Sequence, residues 1–415
     1  MAWPNALRSL RHRNLRLFFA GQTVSLVGTW MQSVAQGWLV YRLTHSTELL
    51  GLVGFLAQVP VFLFGVWAGS LADRIPRRRI VLATQVNALV QATVLAVLTL
   101  SGAVRAWMLL PLAVMLGLTY AFEIPARQAL LGEIAGEDMP NALALNSTVV
   151  NGARVIGPAL AGWVVAALGE GVCFALNAVS FAGTIYAVAV MRLASPRPHG
   201  GIRRAHLLDG LAYAGRTPHV VALLALVATS SFFALPYVTL MPVLAKDVLG
   251  GDARLLGLLQ ASAGAGALAA GVSLMVRTGL RGLGRRVGLG ALLLGLGLAG
   301  VSLSHTAPLS CAFLVLAGFG YLTQMAGTMT LLQGLAPEEL RGRVMGLFST
   351  LFVGTTPFGA LAGGFAAGRF GVPRVLLAGA LVLLSASVAF HLALPRFRRS
   401  VMAEHPTLFP PPLVP

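Results

Sequence analysis

Apolar stretches of about twenty residues recur along the whole chain, and this recurrence restricts the possible folds more than any other feature of the sequence. A stretch of that length crosses the hydrocarbon core of a bilayer as an α-helix. Only short breaks that carry arginine, proline or glycine separate the stretches, so no room is left for a water-soluble domain. Of the 415 residues, 57% are hydrophobic and only 10% are charged, a balance that soluble proteins of this length do not show. The sequence therefore predicts an all-α polytopic membrane protein of about twelve transmembrane helices.

The longest polar interval divides the predicted spans into two groups of six. The spans are predicted at residues 16–43, 47–72, 79–101, 106–131, 141–168, 171–191, 218–245, 254–276, 285–304, 308–333, 343–368 and 372–394. We expect an N-terminal six-helix bundle at 1–195, a cytoplasmic linker at 196–217, a C-terminal six-helix bundle at 218–395 and a cytoplasmic tail at 396–415. Several residues in the stretch 131–162 recur 201 residues later, which favours two pseudo-symmetric repeats with a central cavity between them.

Basic residues are distributed unevenly between the two sides of the predicted membrane. With the N-terminus inside, 23 of the 30 Lys and Arg residues lie in cytoplasmic segments and six lie on the opposite side. The six are Arg42, Arg105, Lys246, Arg254, Arg369 and Arg374. Because Lys and Arg accumulate on the cytoplasmic side, both termini are predicted to be cytoplasmic. The same distribution accounts for the net charge of +17 without a nucleic-acid partner.

The loop between the second and third predicted spans places one acid among four arginines. Residues 69–79 read Gly-Ser-Leu-Ala-Asp-Arg-Ile-Pro-Arg-Arg-Arg. This pattern resembles the loop signature of the major facilitator superfamily, with Pro76 in place of the second glycine. The resemblance implies that Asp73 pairs with helix ends in one state and releases them in another, with ordinary topology-setting charges as the alternative. We name this segment the gating loop, and its assigned residues are Gly69, Asp73, Arg74, Arg77 and Arg78.

A second motif lies in the fifth predicted span. Gly157 and Pro158 form a pair among other small residues, and such a sequence favours close helix packing and a kink. The pair resembles the antiporter signature of the same superfamily. The resemblance implies export rather than uptake.

Three charged residues are assigned to the membrane, Glu123, Arg127 and Arg154. An unpaired arginine at the bilayer centre costs about 2.5 to 3.5 kcal/mol on insertion scales, so Arg154 should face protein or water. Three roles are open for Glu123. It carries a proton during transport, it pairs with Arg154 or Arg127, or it binds Arg77 of the gating loop, as is usual in the superfamily.

Polar residues follow one face of the first predicted span at spacings of three and four. They are Gln22, Ser25, Thr29, Gln32 and Gln36. We predict that this face lines a wet substrate cavity, and that further polar residues contribute from other spans. These are Gln58, Asn151, Gln260, Tyr321 and Gln324. The alternative is hydrogen bonding between helices without contact to a substrate.

One branch of the superfamily shares further sequence with this chain. The stretches 123–130 and 141–146, followed by the Gly157-Pro158 pair, resemble the bacterial transmembrane secretion effectors, which include siderophore exporters and macrolide efflux proteins. The resemblance implies alternating access in the bacterial inner membrane, driven by protons, with export of an amphipathic small molecule. An importer or uniporter of the same fold, or a non-transporting membrane sensor or assembly partner, are the alternatives.

Motifs of enzymes and metal sites are missing from the sequence. Lys246 is the only lysine and is followed by Asp247, so no Gly-Lys-Ser/Thr phosphate loop exists. Neither His-Glu-x-x-His nor Gly-x-Ser-x-Gly occurs, and the eight histidines have no metal-ligand spacing. We therefore expect no enzymatic activity, no cofactor and no metal. The expected partners are a small-molecule substrate, protons and the lipid bilayer, and the chain is expected to be a monomer.

Overall fold

The computed structural model describes residues 5–72, 74–192, 207–275, 279–280 and 282–404, and these residues form helices without any β-strand. The α-helices are α1 Arg13–Thr44, α2 Thr47–Ala72, α3 Arg77–Leu100, α4 Leu109–Ala135, α5 Met139–Leu168, α6 Glu170–Ala189, α7 Leu207–Arg216, α8 Pro218–Thr229, α9 Pro236–Val243, α10 Ala253–Met275, α11 Leu283–Leu303, α12 Ala307–Leu335, α13 Glu338–Phe370 and α14 Val372–Glu404. An apolar chain in lipid must satisfy every backbone polar group internally, and helices do so within one segment. The predicted all-α membrane fold is confirmed.

Ten helical stretches among the described residues are long and apolar enough to cross a membrane. One of them, Ala106–Leu168, contains both α4 and α5, which a short 3-10 turn at Gly136–Asp138 joins. Helix α1 is not among the ten, because glutamines such as Gln22 and Gln32 lower its mean hydropathy. The chain is a multi-pass membrane protein, and the number of twelve spans stays a prediction.

The chain divides into two compact units. The first contains Met1–Ile202 and Met241–Ala261, and the second contains Arg203–Leu240 and Ser262–Pro415. This division differs from the predicted halves because Met241–Ala261 groups with the first unit. Half of the predicted linker, residues 196–206, lies outside the described residues, as does the end of the predicted tail from residue 405 onward.

The first unit is a bundle in which α1 packs against α5 and α6, α2 against α4, and α3 against α4 and α6. A buried cluster lies where five of these helices meet, and it includes Leu15 of α1, Ile80 of α3, Leu130 of α4, Ala142 of α5 and Val188 of α6. These helix ends carry the charged groups described below.

One of the predicted spans is an interrupted helix. Residues 218–248 run through α8, a π-helical turn at Ser230–Ala234, α9 and a second π-helical turn at Leu244–Val248. Pro236 and Pro242 have no backbone N–H to donate, so regular hydrogen bonding cannot continue across them. The predicted single span at 218–245 is therefore a segmented helix, and π-turns of this kind are frequent at functional sites.

Candidate functional site

Arginines of the gating loop bind two neighbouring helices of the first unit. Arg77 Nη1 donates to the Ala129 carbonyl oxygen and to Glu133 Oε2, both on α4 and both at 3.4 Å. Arg78 Nη2 donates to the carbonyl oxygen of Ala189, the last residue of α6. Because the last carbonyls of a helix have no partner within it, this arginine also caps α6. The loop thus holds α4 and α6 together at one end of the bundle.

The structure does not test a gating role for the other residues of the gating loop. Asp73, the predicted central acid, lies outside the described residues. Arg74 is exposed, and Gly69 lies in the last turn of α2 with open space around its Cα. Their roles in gating stay predictions.

Glu133 is a functional candidate that sequence reasoning missed. The predicted fourth span ended at residue 131, whereas α4 continues to Ala135 and carries Glu133 on its last turns. Glu123 lies ten residues earlier along the same helix, too far from the loop to serve Arg77. If the predicted fourth span had been one turn longer, it would have included Glu133 and placed it at the same membrane side as the loop arginines.

Glu123 lies in the interior of the first unit. Its carboxylate is 8% exposed and accepts a hydrogen bond from Arg127 Nη1 at 3.2 Å, one helical turn further on. An internal cavity of ≈ 20 Å³ adjoins the pair, and its lining includes Gln22 and Gln85. The amide oxygens of both glutamines are buried and accept no hydrogen bond within the described part of the chain. The site thus places a carboxylate beside acceptors with unused hydrogen-bonding capacity.

Arg154 does not pair with Glu123. Its guanidinium lies over the Trp30 ring, 5.3 Å from the ring centroid, and it makes no ion pair with any acid that the structure describes. Gly157 allows this contact, because a Cβ there would lie 2.5 Å from the Trp30 Cβ and 2.9 Å from the Val27 carbonyl oxygen. The glycine of the span-5 motif therefore lets α5 approach α1.

The rest of the span-5 motif faces α10. A Cβ on Gly257 of α10 would overlap the Pro158 carbonyl oxygen, and one on Gly162 would lie 2.8 Å from the Ala253 carbonyl oxygen. Small residues on both helices bring the backbones into direct contact. The motif therefore packs α5 on two sides.

The polar face of α1 is largely buried. Four of its five polar residues, Gln22, Ser25, Gln32 and Gln36, are less than 9% exposed, and Thr29 is half-buried. Gln32 Nε2 donates to Gln91 Oε1 on α3, and Gln32 Oε1 accepts from Asn177 Nδ2 on α6, both at 2.8 Å. Gln22 Nε2 donates to Asn146 Oδ1 on α5 at 2.8 Å. This face ties four helices together, and its contact with a substrate stays a prediction.

The remaining cavity candidates differ in exposure. Gln58, Asn151, Gln260 and Tyr321 are half-buried. Gln324 is fully buried in the second unit, where its amide donates to Ser230 Oγ at 2.6 Å and to the Leu226 carbonyl oxygen at 3.1 Å. These partners lie at the first π-turn, so Gln324 stabilises the interruption of the helix.

A second set of contacts lies at the opposite end of the first unit, and sequence reasoning missed it. The Tyr41 hydroxyl donates to Asp247 Oδ2, and the Lys246 ammonium lies 5.9 Å from the Trp38 ring centroid and 6.0 Å from that of Tyr41. Asp247 and Lys246 belong to the second π-turn. We call these four residues the distal cluster.

The N-terminal residues bind a buried acid on the turn between α4 and α5. The Asp138 carboxylate forms ion pairs with Arg8 at 2.6 Å and Arg11 at 3.2 Å, and one of its oxygens lies 3.0 Å from His12 Nε2. The pKa of this carboxyl is lowered chiefly by the hydrogen bond from Arg8, and further by the hydrogen bond with His12 and the positive charge of Arg11. Burial raises the pKa and opposes these effects only in part. The cluster anchors the arm Asn5–Arg11 to the bundle.

With this geometry in place, residues 5–415 match the family model described as transmembrane secretion effector, a major facilitator family. The chain belongs to this family. Its fold and its relatives are those of membrane transporters rather than enzymes, as the sequence predicted. The resemblance to the secretion-effector branch is confirmed.

Relatives of the transporter cover almost its whole length. It is 26% identical to the staphyloferrin A transporter of Staphylococcus aureus, over 86% of this chain and 91% of the relative. It is also 26% identical to the multidrug efflux pump Tap of Mycolicibacterium fortuitum, over 94% and 98%. Among solved structures, a bacterial homologue of the human lysosomal transporter Spinster matches with a TM-score of 0.72 at 15% identity, over 93% and 97%. That structure shows a shared fold.

Proposed function

We propose that the transporter exports an amphipathic small molecule, such as a siderophore or a drug, in exchange for protons and by alternating access. Two contact sets at opposite ends of one bundle carry the proposal. The gating loop binds α4 and α6 at one end, and the distal cluster joins α1 to the second π-turn at the other. Alternating access requires a closure at each end that breaks when that end opens.

The distal cluster is suited to such a closure. A hydroxyl–carboxylate hydrogen bond and two cation–π contacts each contribute at most about 3 kcal/mol, so that a conformational change can exchange them for contacts with water. The segment that carries Asp247 and Lys246 is a π-turn, in which hydrogen bonding is already irregular. We propose that this cluster opens when the substrate leaves, and that the gating loop opens when it enters from the cytoplasm.

Glu123 is the proposed proton acceptor. It is buried, it has one cationic partner among the described residues, and it adjoins a cavity large enough for about one water molecule. A buried carboxylate that trades a cation for a proton keeps its charge compensated in both states. The alternative is a permanent structural pair with Arg127.

Direction and cargo are taken from the relatives. One relative is named a staphyloferrin A transporter, and another is named a multidrug efflux pump, which gives the direction. The Gly157-Pro158 motif supports the same direction through its resemblance to the antiporter signature of the superfamily. We propose a monomer in the bacterial inner membrane with both termini in the cytoplasm.

Uptake into everted membrane vesicles tests the proposal. Labelled erythromycin and staphyloferrin A serve as probes, with an acidic or a neutral vesicle interior. An exporter driven by protons accumulates at least one probe only when the interior is acidic, and a protonophore abolishes the accumulation. Equilibration that ignores the gradient indicates a uniporter, proton-dependent loss from preloaded vesicles indicates an importer, and no movement of either probe indicates a non-transporting protein. Each of these three results overturns the proposal.

A further inference from the structure

Arg154 occupies an unusual position for a cation. It lies near the middle of α5, an apolar helix long enough to cross a membrane, and it is half-buried. Charged residues at this depth are costly and are kept where they bind another group. Arg127, the other basic residue assigned to the membrane, already pairs with Glu123. Arg154 has no such acid among the described residues.

One face of the Arg154 guanidinium lies over an aromatic ring. The Trp30 ring covers that face at 5.3 Å. The Nε atom is buried and has no hydrogen-bond partner within the described segments. A buried N–H without an acceptor costs free energy, and the cost is larger for a charged group. The guanidinium therefore lies over an aromatic ring, and its Nε lacks an acceptor among the described residues.

The chemistry of a guanidinium specifies the missing acceptor. Its planar fork matches the two oxygens of a carboxylate, while stacking on an aromatic ring leaves that edge available. A cationic drug is repelled at the same position. Asn151, one turn earlier on α5, donates its amide to the Ser147 carbonyl oxygen at 2.8 Å, which leaves its own oxygen for a hydroxyl or amide of the ligand.

We infer that Arg154 and Trp30 form a subsite for a carboxylate group of the transported molecule. The inference rests on the proposed function, since it names the chemical class of the cargo. It separates acidic cargo, such as a carboxylate-bearing siderophore, from the cationic amphipaths that many efflux pumps take. Arg154 pairs with the carboxylate through its free edge, and Trp30 holds the guanidinium in place.

Binding of a matched pair of dyes to the full-length transporter tests the subsite. The dyes are rhodamine B, which has a free carboxylate, and its ethyl ester, which lacks one. Fluorescence anisotropy is measured with the protein in nanodiscs of zwitterionic phosphatidylcholine, so that no anionic lipid competes. We expect the wild-type protein to bind rhodamine B at least tenfold more tightly than the ester, because a charge-assisted hydrogen bond contributes about 1.5 to 3 kcal/mol.

Variants assign the difference to Arg154. Arg154→Gln should weaken binding of rhodamine B about tenfold and should not weaken binding of the cationic ester, because Arg154 repels rather than attracts it. Arg254→Gln is the matched control, because Arg254 also lies over a tryptophan, Trp163, at 5.2 Å, and it should leave both affinities unchanged. Equal losses for the two dyes in Arg154→Gln overturn the inference. So does a wild-type protein without preference for the carboxylate, a comparison that needs no variant to fold.

Failure of the subsite is distinguishable from failure of the proposed function. Dye binding in nanodiscs requires no gradient, whereas the vesicle assay requires one. Carboxylate preference that depends on Arg154, without gradient-driven transport, would keep the subsite and overturn the exporter. Gradient-driven export without carboxylate preference would keep the exporter and overturn the subsite.

Discussion

The Arg77 guanidinium at the start of α3 donates to the Glu133 carboxylate near the end of α4, with 3.4 Å between Nη1 and Oε2. Both side chains are at least three-quarters buried. The pair joins the gating loop to α4. It shows that Glu133 is the acid that binds the loop arginine Arg77. If the loop is a gate, this pair is part of its closed form.

Glu133→Gln should slow export several-fold, because the loop loses an ionic partner and the closed form is destabilised. Exchanging the charges in Arg77→Glu with Glu133→Arg should restore part of the rate. Transport into everted vesicles measures both. Glu137→Gln is the control, because Glu137 is exposed on the following turn. Wild-type rates in Glu133→Gln would contradict a gating role for the pair.

Glu123→Gln should abolish accumulation driven by the proton gradient while substrate binding is retained. An amide keeps the size of the side chain and its acceptor oxygen for Arg127, but it cannot take up a proton. Counterflow exchange without a gradient should therefore continue. Accumulation that keeps the pH dependence of the wild type would show that Glu123 serves only as a structural partner of Arg127.

Tyr41→Phe and Asp247→Asn should each change the export rate by a similar factor, since each removes the same hydrogen bond. The double variant should resemble either single variant, because the two changes share one interaction. A double-mutant cycle on transport rates measures this coupling. Additive effects would mean that the two residues act independently and that the distal cluster is not one closure.

Gly157→Ala should destabilise the protein by about 1 to 3 kcal/mol, the usual cost of overpacking, because its Cβ collides with Trp30 and with the backbone of α1. Gly152→Ala is the matched control on the same helix, since no other group lies within 4 Å of the position of its Cβ. Thermal unfolding in detergent compares the two. Equal melting temperatures would show that α5 and α1 are not in close contact.

Asp138→Asn should lower the melting temperature at neutral pH, because three basic side chains lose their anionic partner. The folded-state pKa of this carboxyl is lower than its unfolded value of about 3.9, so its stabilisation is complete above that value. It is lost as the pH falls below about 4 and through the folded-state pKa. From pH 7 down to pH 5, the variant should therefore melt at a lower temperature than the wild type. Below pH 4, the two melting temperatures should converge. A difference that persists in acid would exclude an ionic origin.

The positions of the helices were predictable from sequence, and their partners were not. Predicted spans such as 47–72 and 141–168 agree with α2 and α5 within two residues, because apolar length and breaks at proline, glycine and arginine are local properties. The segmentation of residues 218–248 was missed. Pro236 and Pro242 were visible in the sequence, but whether a proline kinks a helix or shifts it to π-turns depends on what packs against it.

Partners of charged and polar side chains depended on which helix faces meet. Arg77 and Glu133 are 56 residues apart, and no spacing along the chain relates them. Gln32 was predicted to face a cavity because of its place on a polar helix face, yet a polar face satisfies itself equally well against Gln91 and Asn177. Periodicity defines a face, whereas tertiary packing selects its neighbour.

The sequence by itself determined that this chain is an all-helical membrane protein, because hydropathy and the distribution of charge are local properties of the chain. The two motifs, which are also local, identified it as a transporter of the major facilitator type by resemblance. Only the tertiary structure decided that Glu133 binds Arg77, that Glu123 pairs with Arg127, and that Arg154 lies over Trp30 with no acidic partner among the described residues. Hydrogen bonds and ion pairs act over a few ångströms in space, and residues far apart in sequence come within that distance only once the helices are packed.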